Sequence, residues 1–203
     1  WVKDYLSNRK GVVNYQGYQS ETLSFANGTP QGSVISPLLF NIVINLTVAD
    51  KNYPKDIFIG GYADDIKMTN KMPNKHHLMQ KSLNVFQYVC EKLGHKISVA
   101  KTKALWYGYA KPRNLPTFYM DGKAIEWVDQ FKYLGVILDH RLSFVKHAKY
   151  SENRVRPRIN LLKSMAGANW GTNTDTLRKY YTSHIRSILE YGNVAMPTAC
   201  QTA

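Results

Sequence analysis

Ile57-Phe58-Ile59-Gly60-Gly61-Tyr62-Ala63-Asp64-Asp65-Ile66-Lys67-Met68 sets two short apolar runs around a glycine-rich centre that ends in adjacent acids. Ile57–Ile59 and Ile66–Met68 read as strands, and the residues between them as the tip of a hairpin. Two neighbouring carboxylates repel each other, and a divalent cation removes that cost. Mg²⁺ accepts one or two carboxylates together with water and phosphate oxygens, the arrangement used in two-metal phosphoryl transfer. The competing local reading is a solvated Asx-type turn, and the dipeptide alone does not separate the two.

Upstream, Gly28-Thr29-Pro30-Gln31-Gly32-Ser33 is a turn-rich loop that runs into a helix. Ser36-Pro37 reads as an N-cap hydroxyl followed by proline in the first turn. The apolar stretch Val34 to Ala49 is interrupted by Pro37, Asn41 and Asn45, so it suits a buried helix and not a membrane span. The glycines allow close backbone approach, and the helix N-terminus favours negative charge, yet an ordinary capped helix accounts for the same residues. Before the loop, Trp1 to Leu6 reads as the end of a helix and Gly11 to Phe25 as a hairpin.

Downstream, Asn74 is expected to cap an amphipathic helix. Its apolar positions Leu78, Met79, Leu83, Phe86, Val89, Cys90 and Leu93 follow the 3.6-residue period, with Gly94 as the C-terminal stop. Ile97, Val99 and Ala104 to Tyr107 read as strand. Lys101 follows this first strand and is either a phosphate-site lysine able to donate a proton or one solvated lysine among Lys96 and Lys103. Asp121-Gly122 is a two-residue hairpin turn between Phe118–Met120 and Lys123–Val128. Phe131 to Leu138 reads as one strand, aromatic and basic enough to support nucleic acid or simply to pack in a core. From Ser143 the pattern is helical. Pro157 is expected to kink or divide it, and a last helix runs from about Thr174 to Tyr191. There Leu177, Tyr181, Ile185, Ile188 and Leu189 are expected inward, with Gly192 as the end. The order makes an α+β chain followed by a basic helical module.

Composition narrows the partner. Lys and Arg number 27 against 14 Asp and Glu, a formal charge of +13, and 44% of the 203 residues are hydrophobic. Residues 1–140 carry 17 basic and 11 acidic residues, and residues 141–203 carry 10 and 3. Such an excess suits a polyanion, RNA or DNA first and an anionic membrane second. Lys146, Lys149, Arg154, Arg156, Arg158 and Lys163 are the candidates to meet a phosphate backbone, against the reading of a solvated charged face. Two cysteines, Cys90 and Cys200, without zinc spacing fit a reducing compartment, and the six histidines form no metal spacing. The chain begins at Trp1, which reads as a fragment.

The order of these pieces resembles that of the reverse transcriptases. Gly28-Thr29-Pro30-Gln31-Gly32-Ser33-Val34-Ile35-Ser36-Pro37-Leu38-Leu39-Phe40 is similar to motif B, and Tyr62-Ala63-Asp64-Asp65 to motif C. Leu93 to Ile97 with Lys101-Thr102-Lys103 is similar to motif D, and Phe131 to Asp139 to motif E, the primer grip. The C-terminal Leu161-Leu162, Trp170-Gly171 and Ile185 to Gly192 resemble the thumb of non-LTR (LINE-type, Jockey-like) retrotransposon polymerases.

The resemblance implies a right-hand polymerase: a partial palm with the primer grip over residues 1–140 and a partial helical thumb over 141–203. It implies two Mg²⁺ or Mn²⁺ ions, an RNA template, a DNA primer and deoxynucleoside triphosphates, an intracellular and plausibly nuclear location, and no membrane. Asp64 and Asp65 would be metal ligands, Lys101 the general acid. Pro30, Gln31, Gly32, Ser33 and Tyr62 would lie by the nucleotide and template, and Phe131, Lys132, Tyr133, Leu134 and Gly135 would hold the primer end. Motif A and the fingers are missing from these residues, because Asp4 does not stand in an apolar strand. Tyr62 replaces a common phenylalanine, and Ser98 a common asparagine. Little or no polymerase activity is therefore expected of residues 1–203 alone. The alternatives are a decayed or co-opted nucleic-acid-binding module and an intron-encoded reverse transcriptase.

Overall fold

The computed structural model describes residues 1–70, 75–108, 111–167 and 170–193. Asn74 and Cys200, expected as a helix cap and a free thiol, lie outside the described residues. The chain forms two compact units, one of residues 1–97 and 118–122, the other of 98–117 and 123–203. This partition differs from a division at residue 140.

In the first unit, α1 (Val2–Leu6) precedes β1 (Arg9–Gly11), β2 (Asn14–Tyr15), β3 (Tyr18–Gln19) and β4 (Leu23–Phe25). β1 pairs antiparallel with β4 and β2 with β3, so the expected hairpin is present. α2 (Ser36–Val48) leads to β5 (Ile57–Tyr62) and β6 (Asp65–Asn70), then α3 (His76–Lys92). β8 (Tyr119–Met120) packs against α3, where the Gln80 side chain bonds both the N–H and the carbonyl of Tyr119. The core is Ile57, Leu83, Val89, Cys90, Phe118 and Met120. The buried hydroxyls of Thr47 and Ser82 are satisfied within their own helices, by the carbonyls of Val43 and Leu78.

α3 ends as its sequence requires. Gly94 takes φ +72°, its N–H donates to the Glu91 carbonyl, and the His95 N–H donates to the Cys90 carbonyl, a Schellman closure. α2 departs from expectation twice. Ser36 does not cap it: the hydroxyl donates to the Pro30 carbonyl at 2.6 Å, because Ser36 is already inside the helix and Ile35 is the N-cap. Nor is the helix buried all round. Ser36 and Thr47 are buried, while the ridge Leu38, Ile42 and Leu46 is exposed.

The second unit contains β7 (Lys103–Leu105), β9 (Lys123–Ala124), β10 (Glu126–Val128), β11 (Gln130–Tyr133) and β12 (Val136–Asp139). β7 and β10 pair in parallel. Ile97 and Val99 are not in a strand, and β7 stops at Leu105: Ser98 to Lys101 close a turn through Lys101 N–H to Ser98 C=O. The expected single strand from Phe131 to Leu138 is a hairpin, with Tyr133 opposite Val136. Leu134 and Gly135 take φ +46° and +83° and reverse the chain, the left-handed pair that a tight two-residue turn requires. Asp121 and Gly122 do the same at φ +51° and +68°.

α4 (Val145–Met165) is one continuous helix of 21 residues, so Pro157 does not divide it. Pro157 is exposed there, and burial of His147, Ser151 and Val155 on its N-terminal side anchors the helix and overrides the local penalty. Asn173 caps α5 (Thr174–Tyr180) by accepting from the Thr176 N–H. A π segment (Tyr181–Arg186) then joins α6 (Ser187–Glu190), and Gly192 takes φ +83° beyond it. Of the expected inward residues, Ile185 is 1% exposed, but Tyr181 and Leu189 are 43% and 46% exposed. The wide turn resets the 3.6-residue phase, which a periodicity argument assumes is unbroken. The core here is Ile125, Val136, Phe144, Val155 and Ile185.

Candidate active site and nucleic-acid interface

β5 and β6 carry the paired acids. They are longer than the apolar runs suggest: Tyr62 pairs with Asp65, leaving Ala63 and Asp64 alone in the turn. Ala63 takes φ +50°, a left-handed conformation costly for a residue with a Cβ. Asp64 and Asp65 are exposed, and neither has an ion-pair partner among the described residues. Gly61 lets the hairpin pack: a Cβ there would lie 2.8 Å from Ile66 Cδ1 and 3.9 Å from Ile44 Cγ2 of α2. Packing between β5 and α2 thus brings the acids and the 28–36 loop into one unit.

That loop is closed from inside. Pro30 C=O accepts from the Ser36 hydroxyl and from the Ser33 N–H, and the Tyr5 hydroxyl donates to Ser33 Oγ at 2.5 Å. Pro30 and Ser33 are therefore partly buried scaffold, while Gln31 and Gly32 (φ +86°) are exposed beside them. Tyr62 is 67% exposed. Among the described residues no group of three or more His, Cys, Asp or Glu side chains converges as a metal cage. The donor set for a cation is the two hairpin carboxylates. Their chemistry suits Mg²⁺, which completes its shell with water and phosphate oxygens.

The remaining site residues lie in the second unit. Lys101 is exposed in the Ser98–Lys101 turn. Phe131 and Lys132 are exposed on β11, and Tyr133, Leu134 and Gly135 are half-buried at the hairpin end. His147 and Tyr191, both absent from the sequence reading of the site, secure this hairpin. His147 is 3% exposed and accepts the Ile137 N–H at Nδ1. Burial pushes its pKa down, against a backbone hydrogen bond with Tyr191 that raises it, and Lys132 pushes it down further. The Tyr191 hydroxyl donates to the Leu134 carbonyl at 2.7 Å. A buried histidine with a backbone partner has no sequence signature that distinguishes it from the other five.

The six cations of α4 divide. At about 100° per residue, Lys146, Lys149, Arg156 and Lys163 fall on one outward arc, with Asn153 and Asn160 between them, all exposed. Arg154 and Arg158 lie off this arc, and the Arg158 guanidinium donates to the Arg154 carbonyl. Arg156 pairs with Glu152. A groove of about 560 Å³ runs beside them, lined by Val155, Arg156, Ile159, Lys163 and Leu189 among others.

The profile of the reverse transcriptase (RNA-dependent DNA polymerase) family matches residues 1–138, more than half of the chain, a span that includes the 28–36 loop and the acidic hairpin and ends within β12. This chain belongs to the reverse transcriptase family. Members of the family generally use divalent metal ions, in keeping with the acidic hairpin. The reverse transcriptase chain is 27% identical to the RNA-directed DNA polymerase from mobile element jockey of Drosophila funebris, covering 99% of this chain and 23% of that protein. It is 26% identical to the probable RNA-directed DNA polymerase from transposon BS of Drosophila melanogaster, over 94% of this chain and 22% of that protein. The probable polymerase from transposon X-element of the same organism is 27% identical over 78% of this chain and 18% of that protein. These matches bear out the non-LTR retrotransposon assignment. The chain spans less than a quarter of the length of these relatives. No solved structure matches it.

Proposed function

We propose that this chain is part of the RNA-directed DNA polymerase of a Jockey-like retrotransposon. The reading rests on one observation above the others. In a chain of this family, two adjacent exposed carboxylates stand unpaired at a strained hairpin turn packed on the helix that follows the 28–36 loop. Residues 1–140 are taken as partial palm with the primer grip, and 141–203 as partial thumb. Asp64 and Asp65 hold the metal, and Gln31 and Gly32 meet the nucleotide and template on the rigid platform made by Pro30 and Ser33. Divalent ions, when bound, lower the pKa of the attacking hydroxyl and neutralise the charge that develops on the leaving group. The primer 3′-hydroxyl attacks the α-phosphate of a deoxynucleoside triphosphate, a new phosphodiester forms, and pyrophosphate leaves. Lys101 gives its proton to that leaving group. The β11–β12 turn holds the primer end, and the basic face of α4 meets the duplex backbone. The setting is intracellular; no helix among the described residues is long and apolar enough to cross a membrane.

The test has two parts. Mn²⁺ binding, followed by water-proton relaxation, should be weak for the chain and lost on Asp64→Asn. Primer extension by residues 1–203 alone should be absent, since these residues lack motif A, whose aspartate the resemblance implies as a further metal ligand. Robust extension overturns the expected inactivity of these residues alone, and Mn²⁺ binding indifferent to Asp64→Asn sinks the metal-site assignment. The exposed basic arc of α4 favours a second reading, a nucleic-acid-binding module without catalysis, in which hybrid binding persists with no metal requirement at all.

A further inference from the structure

Where the β11–β12 hairpin meets α4, the side chains of Lys132, Tyr150 and Arg154 converge. Lys132 Nζ donates to the Tyr150 hydroxyl at 2.7 Å and lies 4.7 Å from the centre of its ring. Arg154, one turn further along α4, lies 5.6 Å from the same ring centre. Both cations are exposed, and neither has an acid within ion-pair distance among the described residues. Glu152, the nearest acid on α4, is held by Arg156. Two like charges gathered on one ring repel, and the π face offsets only part of that. The hydrogen bond from Lys132 comes first among the influences that pull the Tyr150 phenol below its ordinary pKa; desolvation opposes it, and the charges of Lys132 and Arg154 add to the lowering.

We propose that Lys132, Tyr150 and Arg154 form a seat for one phosphodiester of a nucleic-acid strand, gripped jointly by the hairpin and the helix. An ammonium, a guanidinium and a hydroxyl are the donor set that non-bridging phosphate oxygens accept from most strongly. The seat is preorganised, because the Ile137 N–H of β12 donates to His147 of α4 and the Tyr191 hydroxyl donates to the Leu134 carbonyl of the turn, which holds the hairpin, β11 paired within it, against α4. Lys146 continues the tract: Lys146, Tyr150 and Arg154 follow one i, i+4 ridge, so a second phosphate meets the next cation. A free phosphate would use the seat alone. The inference rests on the nucleic-acid reading above and names a contact within it, with Tyr150 as the residue that joins the two elements.

Fluorescence anisotropy of the 203-residue chain with a labelled primer–template hybrid, across a salt series, tests it. Lys132→Gln and Arg154→Gln should each weaken binding about tenfold, and each should lower the slope of log affinity against log salt by about 0.7–0.9. Tyr150→Phe should weaken binding about threefold with the slope unchanged, since it removes a hydrogen bond and no charge. Phenolate absorbance, taken as wild type minus Tyr150→Phe, provides a readout independent of affinity. The hybrid should raise the Tyr150 pKa by neutralising its cations, and inorganic phosphate should leave it unmoved. Unchanged affinity and slope in both charge variants overturns the seat, as does a Tyr150 titration indifferent to the hybrid. An equal response to inorganic phosphate overturns the strand in favour of a free anion. Failure of the wild type to bind the hybrid at all removes the broader nucleic-acid reading, a result distinct from the others.

Discussion

Gly135 takes φ +83° beneath the Tyr191 ring, and a Cβ there would lie 2.9 Å from Tyr191 Cε1. Gly135→Ala should therefore cost about 1–3 kcal/mol in urea unfolding, from backbone strain and a displaced ring together. Gly171 is bound as tightly: at φ +106°, a Cβ would meet the Met165 carbonyl oxygen at 2.4 Å. Both glycines belong to sequence features that the resemblance singled out, and the structure gives the steric reason. Asp139 is 5% exposed and accepts from the N–H groups of Arg141 and Ser143 and from the Ser143 hydroxyl. Burial pushes its pKa up, but the hydrogen bonds from Ser143, Arg141 and Phe144 outweigh it and leave the carboxyl below 3.8. His147 is also depressed, below 6.5. Each shift stabilises the fold above the group's unfolded value, and that stability is lost as pH falls through the folded value. Acid should weaken the second unit in two steps, below about 6.5 and again below about 3.8. Urea midpoints measured against pH should show the first step vanish in His147→Gln. A first step that survives the substitution assigns it to another histidine.

At the scale of elements, α4 and the final helix each carry a feature that the sequence misleads on. Pro157 removes one helical hydrogen bond from an exposed interior position, yet α4 runs through it. Pro157→Ala should stabilise the chain by up to about 3 kcal/mol, read from denaturant midpoints. A loss of stability would mean that the proline ring itself contributes to the packing of α4. The π segment Tyr181–Arg186 accommodates one residue more than an α-helix would. Deleting exposed Ser183 should restore α geometry while keeping α5 and α6 in their own phases, with Ile185 still buried. Deleting Leu177 instead turns everything after it by about 100°, and the melting temperature should fall much further. Equal effects of the two deletions would show that the wide turn has no role in register.

For the whole molecule, a charge of +13 sets two opposed salt responses. Added salt should raise the melting temperature of the free chain by screening self-repulsion, while weakening its hold on nucleic acid. Calorimetry and anisotropy across one salt series check both, and a melting temperature that falls with salt would mean that ion pairs outweigh repulsion. The sequence by itself determined the acidic hairpin, the helix stop at Gly94 and the family, because these depend on local turn chemistry and on residues whose order is read directly. It also placed a helix over 36–49, but not its exposed ridge of Leu38, Ile42 and Leu46, since periodicity says nothing of which neighbour covers which face. Only the tertiary structure decided that Phe131–Leu138 folds back as a hairpin, that Pro157 is tolerated, and that Lys132 meets Tyr150 and Arg154. The hairpin depends on a left-handed turn at Leu134-Gly135 that a strand-like run conceals, and the other two on packing and side-chain contacts between elements, which outweigh the local preferences that a sequence displays.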